Sequence, residues 1–170
     1  MCRLLILMAA LAAGTEVAAQ TPAELAREMN AIKIVESSGG KNTNHAIIKV
    51  GVQKGTRAGG AYGIMPKTAF LLIKTNKDLK KKYGFYVSIN STEMMTSALN
   101  SNHKLDDELA RVFWSALRKH RTMESAACAW FRGPGNENCK DPQKLSSDGY
   151  VQSFLDAYVL SGPSIGVARN

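Results

Sequence analysis

Ile34-Val35-Glu36-Ser37-Ser38-Gly39-Gly40 is the stretch around which the chain is organised, because a predicted helix ends there directly after a glutamate. Going back along the chain from Glu36, apolar residues occur in steps of four, three and four, at Ile32, Met29 and Leu25. This spacing places the glutamate on the same helix face as these apolar residues. A carboxyl group on that face is removed from water, which disfavours its charged form.

The negative end of the helix dipole lies just beyond Ser37 and acts in the same direction as burial. Together the two effects predict a raised pKa for Glu36, in the range where a carboxylic acid still donates a proton near neutral pH. The alternative is a structural glutamate that pairs with an arginine or accepts hydrogen bonds from backbone N–H groups. This helix alone leaves both interpretations open.

A chain of 170 residues predicts one domain with a core of its own. It begins with Arg3, an apolar run over residues 4–13 and a small-residue cleavage motif, Val17-Ala18-Ala19. These features are typical of a secretory signal peptide, so we expect residues 1–19 to be the leader and residues 20–170 the exported domain. No other stretch approaches the roughly 18 apolar residues that a spanning helix needs, so we expect a secreted or periplasmic protein without a transmembrane anchor.

The formal net charge is +8 at pH 7, and removal of the leader takes away one charge of each sign, Arg3 and Glu16. A basic exported protein is expected to meet an anionic cell-wall surface. Nucleic acid is not expected as a partner, because the sequence has no zinc or recognition-helix motif. The dense basic run Lys80-Lys81-Lys82 is typical of a solvated helix face. We expect a monomer.

Two cysteines, Cys128 and Cys139, remain once the leader with Cys2 is removed. An even pair in an oxidising compartment predicts a disulfide. Such a bridge closes a loop of roughly ten residues and contributes on the order of 2–3 kcal/mol. Neither cysteine has a histidine at metal-ligand spacing, so we expect no metal and no cofactor.

The remaining pattern predicts a mainly α domain. Thr21-Pro22-Ala23-Glu24 is a capping box with proline at the first helical position, and it starts the first helix. The glycine-studded stretch 41–60 predicts a long loop with a possible short β-hairpin. Beyond it we expect helices up to residue 74, over 78–82, 92–99, 103–121 and 123–131, and after Asp148, with an extended segment over 85–87.

The acidic residues are informative by their absence, since the next carboxylate after Glu36 is Asp78. An inverting glycosidase needs a second carboxylate to activate water, and a retaining one needs a nucleophile close by. Glu36 has no such local partner, which favours chemistry in which one carboxyl acts first as acid and then as base. His45, His103 and His120 form no Ser-His-Asp pattern with the scattered serines.

Three motifs, in this order, resemble those of the soluble lytic transglycosylase family: Glu36-Ser37 at a helix end, then Gly60-Ala61-Tyr62-Gly63-Ile64-Met65-Pro66, then Ala129-Trp130-Phe131-Arg132-Gly133-Pro134-Gly135. The resemblance implies a lysozyme-like α fold without a metal or cofactor. It also implies cleavage of the β-1,4 bond between N-acetylmuramic acid and N-acetylglucosamine in peptidoglycan strands, leaving 1,6-anhydro ends.

On this resemblance Glu36 is the catalytic acid and base, and Ser37 orients the backbone of the site. The segment Gly63-Ile64-Met65 lines the floor of the substrate cleft, with Met65 against a sugar face. The chain departs from the family at three places, where a proline or glycine replaces glutamine (Pro66 or Gly63, depending on register), Trp130 replaces tyrosine and Phe131 replaces asparagine.

Tyr62 is predicted to provide the missing hydroxyl from the opposite wall of the cleft. The resemblance also implies that Trp130 and Phe131 bind substrate, with the Trp130 indole stacked on a sugar or donating through its ring nitrogen. Core packing is the alternative role of Met65 and of Trp130. Glu124 is expected to cap the first turn of its helix, with a second catalytic carboxylate as the alternative. Two other functions stay open at this point: a lysozyme-type hydrolase that cuts the same bond with water, and a non-catalytic wall-binding relative.

Overall fold

The structure is a computed structural model that describes residues 20–49 and 54–162. The predicted signal peptide therefore lies outside the described residues, as does the end of the predicted hairpin run, residues 50–52. Among the described helices, none combines the length and the apolar character needed to cross a membrane.

Eight α-helices and one 3-10 helix make up most of the described residues, which confirms the prediction of a mainly α fold. In chain order they are α1 (Pro22–Ser37), α2 (Pro66–Thr75), α3 (Lys77–Ile89), α4 (Thr92–Ser101), α5 (His103–Arg118), α6 (Met123–Arg132), the 3-10 helix (Glu137–Lys140), α7 (Pro142–Ser146) and α8 (Gly149–Leu160).

Helix α1 begins and ends as its sequence predicts. The Thr21 hydroxyl accepts a hydrogen bond from the Glu24 N–H, the Glu24 carboxylate accepts one from the Thr21 N–H, and Pro22 is the first helical residue. At the other end Ser38 takes a left-handed conformation with φ 52° and donates its N–H to the Ile34 carbonyl. The chain therefore turns away two residues after Glu36.

Helix α5 lies at the centre of the domain and packs against α1, α2, α3, α4 and α6. The buried Glu28 carboxylate ties α1 to it, accepting hydrogen bonds from Trp114 Nε1 at 2.5 Å and Arg118 Nε at 3.2 Å. A buried carboxylate needs such partners, because an unpaired charge in the core is strongly destabilising. The inner face of α5 is formed by Leu105, Leu109, Ala110, Trp114 and Leu117.

Helix α8 packs along α1. Arg27 of α1 donates to the Tyr158 carbonyl at 2.8 Å, and its guanidinium lies 3.9 Å from the centre of the Tyr158 ring. Asp148 caps the start of α8 by accepting from the N–H groups of Tyr150 and Val151, at 3.0 and 3.2 Å. These contacts bring the first turn of α8 to the last turn of α1.

Two local predictions are wrong in the same segment. The helix expected over 78–82 continues as α3 to Ile89, so residues 85–87 are helical and not extended. The apolar side chains on its inner face, Leu79, Tyr83, Tyr86 and Val87, recur at helical spacing and pack on the core. This packing outweighs the strand propensity of the aromatic and β-branched residues. The helix ends at Asn90, whose φ is 54°.

In the described part of the predicted hairpin, Ile47 and Arg57 form an antiparallel bridge. The Ile48 N–H donates to the Thr56 carbonyl and the Gly55 N–H to the Ile48 carbonyl, both at 2.9 Å. A second bridge joins Gly59 to Ile64 and closes the glycine turn ahead of α2. Helix α5 ends at Arg118, three residues before the predicted limit. The predicted disulfide is confirmed, since the Cys128 and Cys139 Cα atoms lie 5.3 Å apart and their sulfurs are bonded.

Candidate active site

Glu36 lies in the last turn of α1 and is partly buried. The hydroxyl of Tyr150, in the first turn of α8, donates a hydrogen bond to Glu36 Oε1 at 2.7 Å across a separation of 114 residues. The predicted alternative was an arginine partner, but among the described residues the Glu36 carboxyl forms no ion pair with an arginine. Its neighbours are Tyr150, Trp130 and His45.

Burial raises the pKa of Glu36 above its ordinary value, as the helix face predicts. The Tyr150 hydrogen bond and the neighbouring His45 and Trp130 side chains act in the opposite direction on that pKa but do not cancel the effect of burial. Burial also raises the pKa of the Tyr150 hydroxyl well above its usual value, so that group keeps its proton and acts as a donor. The pair is therefore a carboxyl group with a raised pKa and a neutral phenol that donates to it.

Gly63 forms the surface against which the Glu36 carboxyl rests. A Cβ at this position would lie 2.5 Å from Glu36 Oε2 and 3.4 Å from His45 Cε1, so no side chain fits between them. The backbone φ of Gly63 is 65°, a left-handed conformation that also favours glycine. His45, whose Nε2 is 2.8 Å from the Gly60 carbonyl, is thereby held beside the same carboxyl.

Ser37 links the end of α1 to the glycine turn. Its hydroxyl lies 2.6 Å from the Ala61 carbonyl and 2.9 Å from the Lys33 carbonyl, and it accepts the Gly40 N–H at 2.8 Å. The turn that contains Gly63 is thus fixed relative to the helix that ends with Glu36. This is the geometry that the predicted role of Ser37 requires.

Asp106 of α5 binds the backbone of the glycine turn. The side chain is buried, and its Oδ2 accepts the Ala61 N–H at 2.7 Å, while Oδ1 has no hydrogen-bond partner among the described residues. A Cβ at Gly60 would collide with this carboxyl, and the φ of Gly60 is 77°. Burial raises the pKa of Asp106 to about 7.

The prediction that Tyr62 provides a hydroxyl to Glu36 is wrong. The Tyr62 side chain is buried, and its hydroxyl donates to Asp107 Oδ1 at 2.8 Å. Asp107 in turn accepts from Arg111 Nε at 2.7 Å. Tyr62 therefore fastens the glycine turn to α5, and the hydroxyl at Glu36 comes from Tyr150 instead.

The next two residues of the turn differ in exposure. Ile64 is 2% exposed and belongs to the core, so it supports the floor of the site from beneath and is not placed to touch a substrate. Met65 is partly exposed and caps the start of α2, ahead of Pro66. Of the two predicted floor contacts, Met65 is therefore the one available to a ligand.

Two stacked aromatic rings, Phe131 and Tyr150, lie beside the Glu36 carboxyl, and we call them the aromatic wall. The rings of Phe131 and Tyr150 stack in parallel, with centroids 4.6 Å apart and an interplanar angle of 8°. Phe131 is 56% exposed, whereas Trp130 is buried and packs on Phe113 at 4.9 Å. Trp130 thus packs in the core, which is its predicted alternative role, and it also lies near enough to Glu36 to lower the pKa of that carboxyl.

Other acids near this region have separate roles. Asp148 accepts from Arg132 Nε at 2.7 Å in addition to capping α8. Glu124 lies in the first turn of α6 and lines a separate cavity together with Cys139 and Leu145, which leaves the capping interpretation in place. Within residues 20–49 and 54–162, no group of three or more potential metal ligands occurs.

Sequence reasoning missed two residues of the site, Tyr150 and His45. Tyr150 is in the first turn of the last helix, and His45 is in the loop predicted over residues 41–60. Tyr150 is 114 residues from Glu36 in the chain, whereas His45 is in the loop that follows α1 and returns to the carboxyl through its contact with Gly60. Searches of family models, curated proteins and solved structures found no match to this chain.

Proposed function

We propose that the protein is a peptidoglycan lytic transglycosylase that cleaves the bond between N-acetylmuramic acid and N-acetylglucosamine with Glu36 as its single acid and base. The observation that supports this most directly is the environment of the carboxyl. Burial raises the pKa of Glu36, and the side chains that the described part of the chain places against its carboxyl, Tyr150, His45 and Trp130, are not acids. Hydrolysis by a carboxylate pair needs a second acid.

In the first step the protonated Glu36 carboxyl donates its proton to the glycosidic oxygen, and the bond from that oxygen to C1 of the muramic residue breaks. In the second step the 6-hydroxyl of the same sugar attacks C1 and releases its proton to the Glu36 carboxylate. The new C1–O6 bond closes the anhydro ring, no water is consumed, and the acid is restored. The proton balance therefore requires one carboxyl group.

Tyr150 has a defined part in both steps. Its hydroxyl donates to Glu36 Oε1 at 2.7 Å, which leaves Oε2 as the oxygen that faces Gly63 and His45. The hydrogen bond stabilises the carboxylate that exists between the two steps, because bonds to a charged acceptor are the stronger ones. Ser37 and Gly63 keep the surrounding backbone in place.

The surroundings of the carboxyl suit a glycan strand. The exposed Phe131 ring, backed by Tyr150, presents an aromatic face of the kind on which the apolar face of a sugar packs. Met65 provides a second apolar contact on the glycine-turn side. The net charge of +8 favours an anionic wall, so we propose a monomeric secreted or periplasmic enzyme.

The test is digestion of purified sacculi followed by mass spectrometry of the released fragments. We expect fragments whose muramic ends are lighter by one water than the corresponding reducing ends. The Glu36→Gln variant is the matched control, because it keeps the shape of the side chain and removes the proton. Reducing ends would identify a hydrolase, and absence of any fragment from the unaltered protein would leave a wall-binding function.

A further inference from the structure

Helices α2 and α3 hold most of the net charge of the protein. Between Pro66 and Ile89 the chain has six lysines and one acid, Asp78, so these 24 residues account for five of the eight net positive charges. Lys82 forms an ion pair with Glu108 at 2.9 Å. Other lysines of the two helices point to solvent, namely Lys74, Lys77, Lys80 and Lys81.

Helix α3 has two distinct faces. The inner face packs on the core through Leu79, Tyr83, Tyr86 and Val87. On the opposite side, Lys77, Lys81 and Phe85 follow one another at intervals of four residues, so they form one stripe. This outer face is therefore basic in its first half and apolar in its second.

The apolar half of that face is unusually exposed. Phe85 is 67% exposed and Ile89, four residues further on, is 41% exposed. Leu71 on the neighbouring α2 is 60% exposed and precedes the exposed Lys74 by three residues. Large apolar side chains next to several lysines are typical of a helix that lies on a membrane surface.

We propose that the outer face of α3 docks on the surface of an anionic phospholipid bilayer. Lys77, Lys80 and Lys81 would lie at the anionic headgroups, while Phe85 and Ile89 enter the boundary with the acyl chains. Charge complementarity selects an anionic partner. The exposed Phe85 then favours a bilayer over a soluble polyanion, because only a bilayer removes that ring from water.

This surface is separate from the proposed active site. Helix α3 packs on α2 and α5, whereas Glu36 and Tyr150 lie on α1 and α8. Docking would therefore hold the domain at a membrane without using any residue of the site. The proposal is independent of the proposed reaction, and it can fail or succeed by itself.

The experiment measures partition of the purified chain onto vesicles of phosphatidylglycerol and phosphatidylcholine, with pure phosphatidylcholine vesicles alongside. We expect binding to the anionic vesicles alone. The double variant Lys77→Gln/Lys81→Gln should bind more weakly by about fivefold for each lysine. Phe85→Ala should lose about tenfold, because the ring is only partly inserted.

Two matched controls remove the same groups elsewhere. Lys119→Gln/Lys144→Gln deletes the same charge from exposed positions just after α5 and on α7, and Leu160→Ala shortens an apolar side chain that is 82% exposed. Both should bind as the unaltered chain does. The apolar run over residues 4–13 is common to every variant, so differences between variants decide the result.

Equal loss of binding in Lys77→Gln/Lys81→Gln and in its control would overturn the proposal, because net charge alone would then explain the effect. Full binding by Phe85→Ala would overturn it as well, because attraction of the lysines to negative charge would then explain binding without insertion of the ring. A polyanion would serve equally well as the partner in that case. Absence of binding by the unaltered chain to anionic vesicles would also reject it. Circular dichroism of each variant establishes that the helices are intact.

Discussion

Replacing Tyr150 by phenylalanine tests the central contact of the site with the smallest possible change. The substitution removes one oxygen and keeps the ring that stacks on Phe131 at 4.6 Å. Glu36 then loses the hydrogen bond of 2.7 Å that stabilises its ionised form. All other contacts of the carboxyl, including the Gly63 surface, are preserved.

The size of the effect follows from the type of bond. A hydrogen bond to a charged acceptor contributes about 1.5–3 kcal/mol. Loss of this amount from the carboxylate formed by proton donation predicts a fall in kcat/KM of roughly 10- to 100-fold at the optimum pH. The protonated acid is the active form in the first step, so activity declines as the pH rises through the pKa of Glu36.

The sign of the pH effect is also determined. The Tyr150 hydrogen bond lowers the pKa of Glu36, so its removal raises that pKa. The alkaline limb of the pH profile should therefore move to higher pH, by about one pH unit for each 1.4 kcal/mol lost. The assay is release of anhydro fragments from sacculi between acid and alkaline pH, with a melting curve for each protein.

Tyr158→Phe is the matched control, since it removes a hydroxyl from the same helix where the ring packs under Arg27. This control should keep both the rate and the pH profile. A Tyr150→Phe protein with unchanged rate and unchanged alkaline limb would refute the assignment of the hydroxyl to Glu36. A slower protein whose alkaline limb does not move would show that Tyr150 acts through packing alone.

Three further predictions concern other parts of the domain. Gly63→Ala should lower kcat/KM by at least about 100-fold with the helical spectrum retained, because the new Cβ would lie 2.5 Å from Glu36 Oε2; ordinary activity would contradict the described geometry. The unfolding free energy should contain a contribution from Asp106 that is complete below pH 3.8 and lost as the pH rises to about 7, since burial raises the folded-state pKa. That contribution is about 4 kcal/mol, and in urea titrations Asp106→Asn should lack it over this interval; a variant with the pH dependence of the unaltered chain would refute the assignment. Replacing Cys128 and Cys139 together by serine should lower the unfolding free energy by about 2–3 kcal/mol, and dithiothreitol should do the same to the unaltered chain but not to the variant.

The parts of the structure that sequence reasoning predicted are those decided by neighbouring residues. The capping box at Thr21 and the aspartate cap at Asp148 fix helix starts through contacts only two or three residues long. The raised pKa of Glu36 followed from its place on the apolar face of one helix. The disulfide followed from an even pair of cysteines and needed no knowledge of the fold.

The parts that were not predicted depend on packing between distant segments. Tyr150 reaches Glu36 because α8 packs along α1, and no local pattern distinguishes a tyrosine that faces a carboxyl from one that fills the core. Tyr62 shows the converse error. Its position in the glycine turn suggested that it faces the cleft, yet its hydroxyl donates a hydrogen bond to Asp107 of α5. The length of α3 was missed because core contacts outweigh the local propensity around Phe85.

The arrangement of acids around the glycine turn fits the proposed reaction with a single acid. Two acids of α5, Asp106 and Asp107, reach the glycine turn, but both are engaged on its inner side, by the Ala61 N–H and the Tyr62 hydroxyl. On the outer side of the same turn, Gly63 admits only the Glu36 carboxyl. The turn thus separates the acids that hold the backbone from the acid that faces the aromatic wall. A Cβ at Gly63 would lie 2.5 Å from Glu36 Oε2, so the turn presents bare backbone, and no side chain of its own, to that carboxyl.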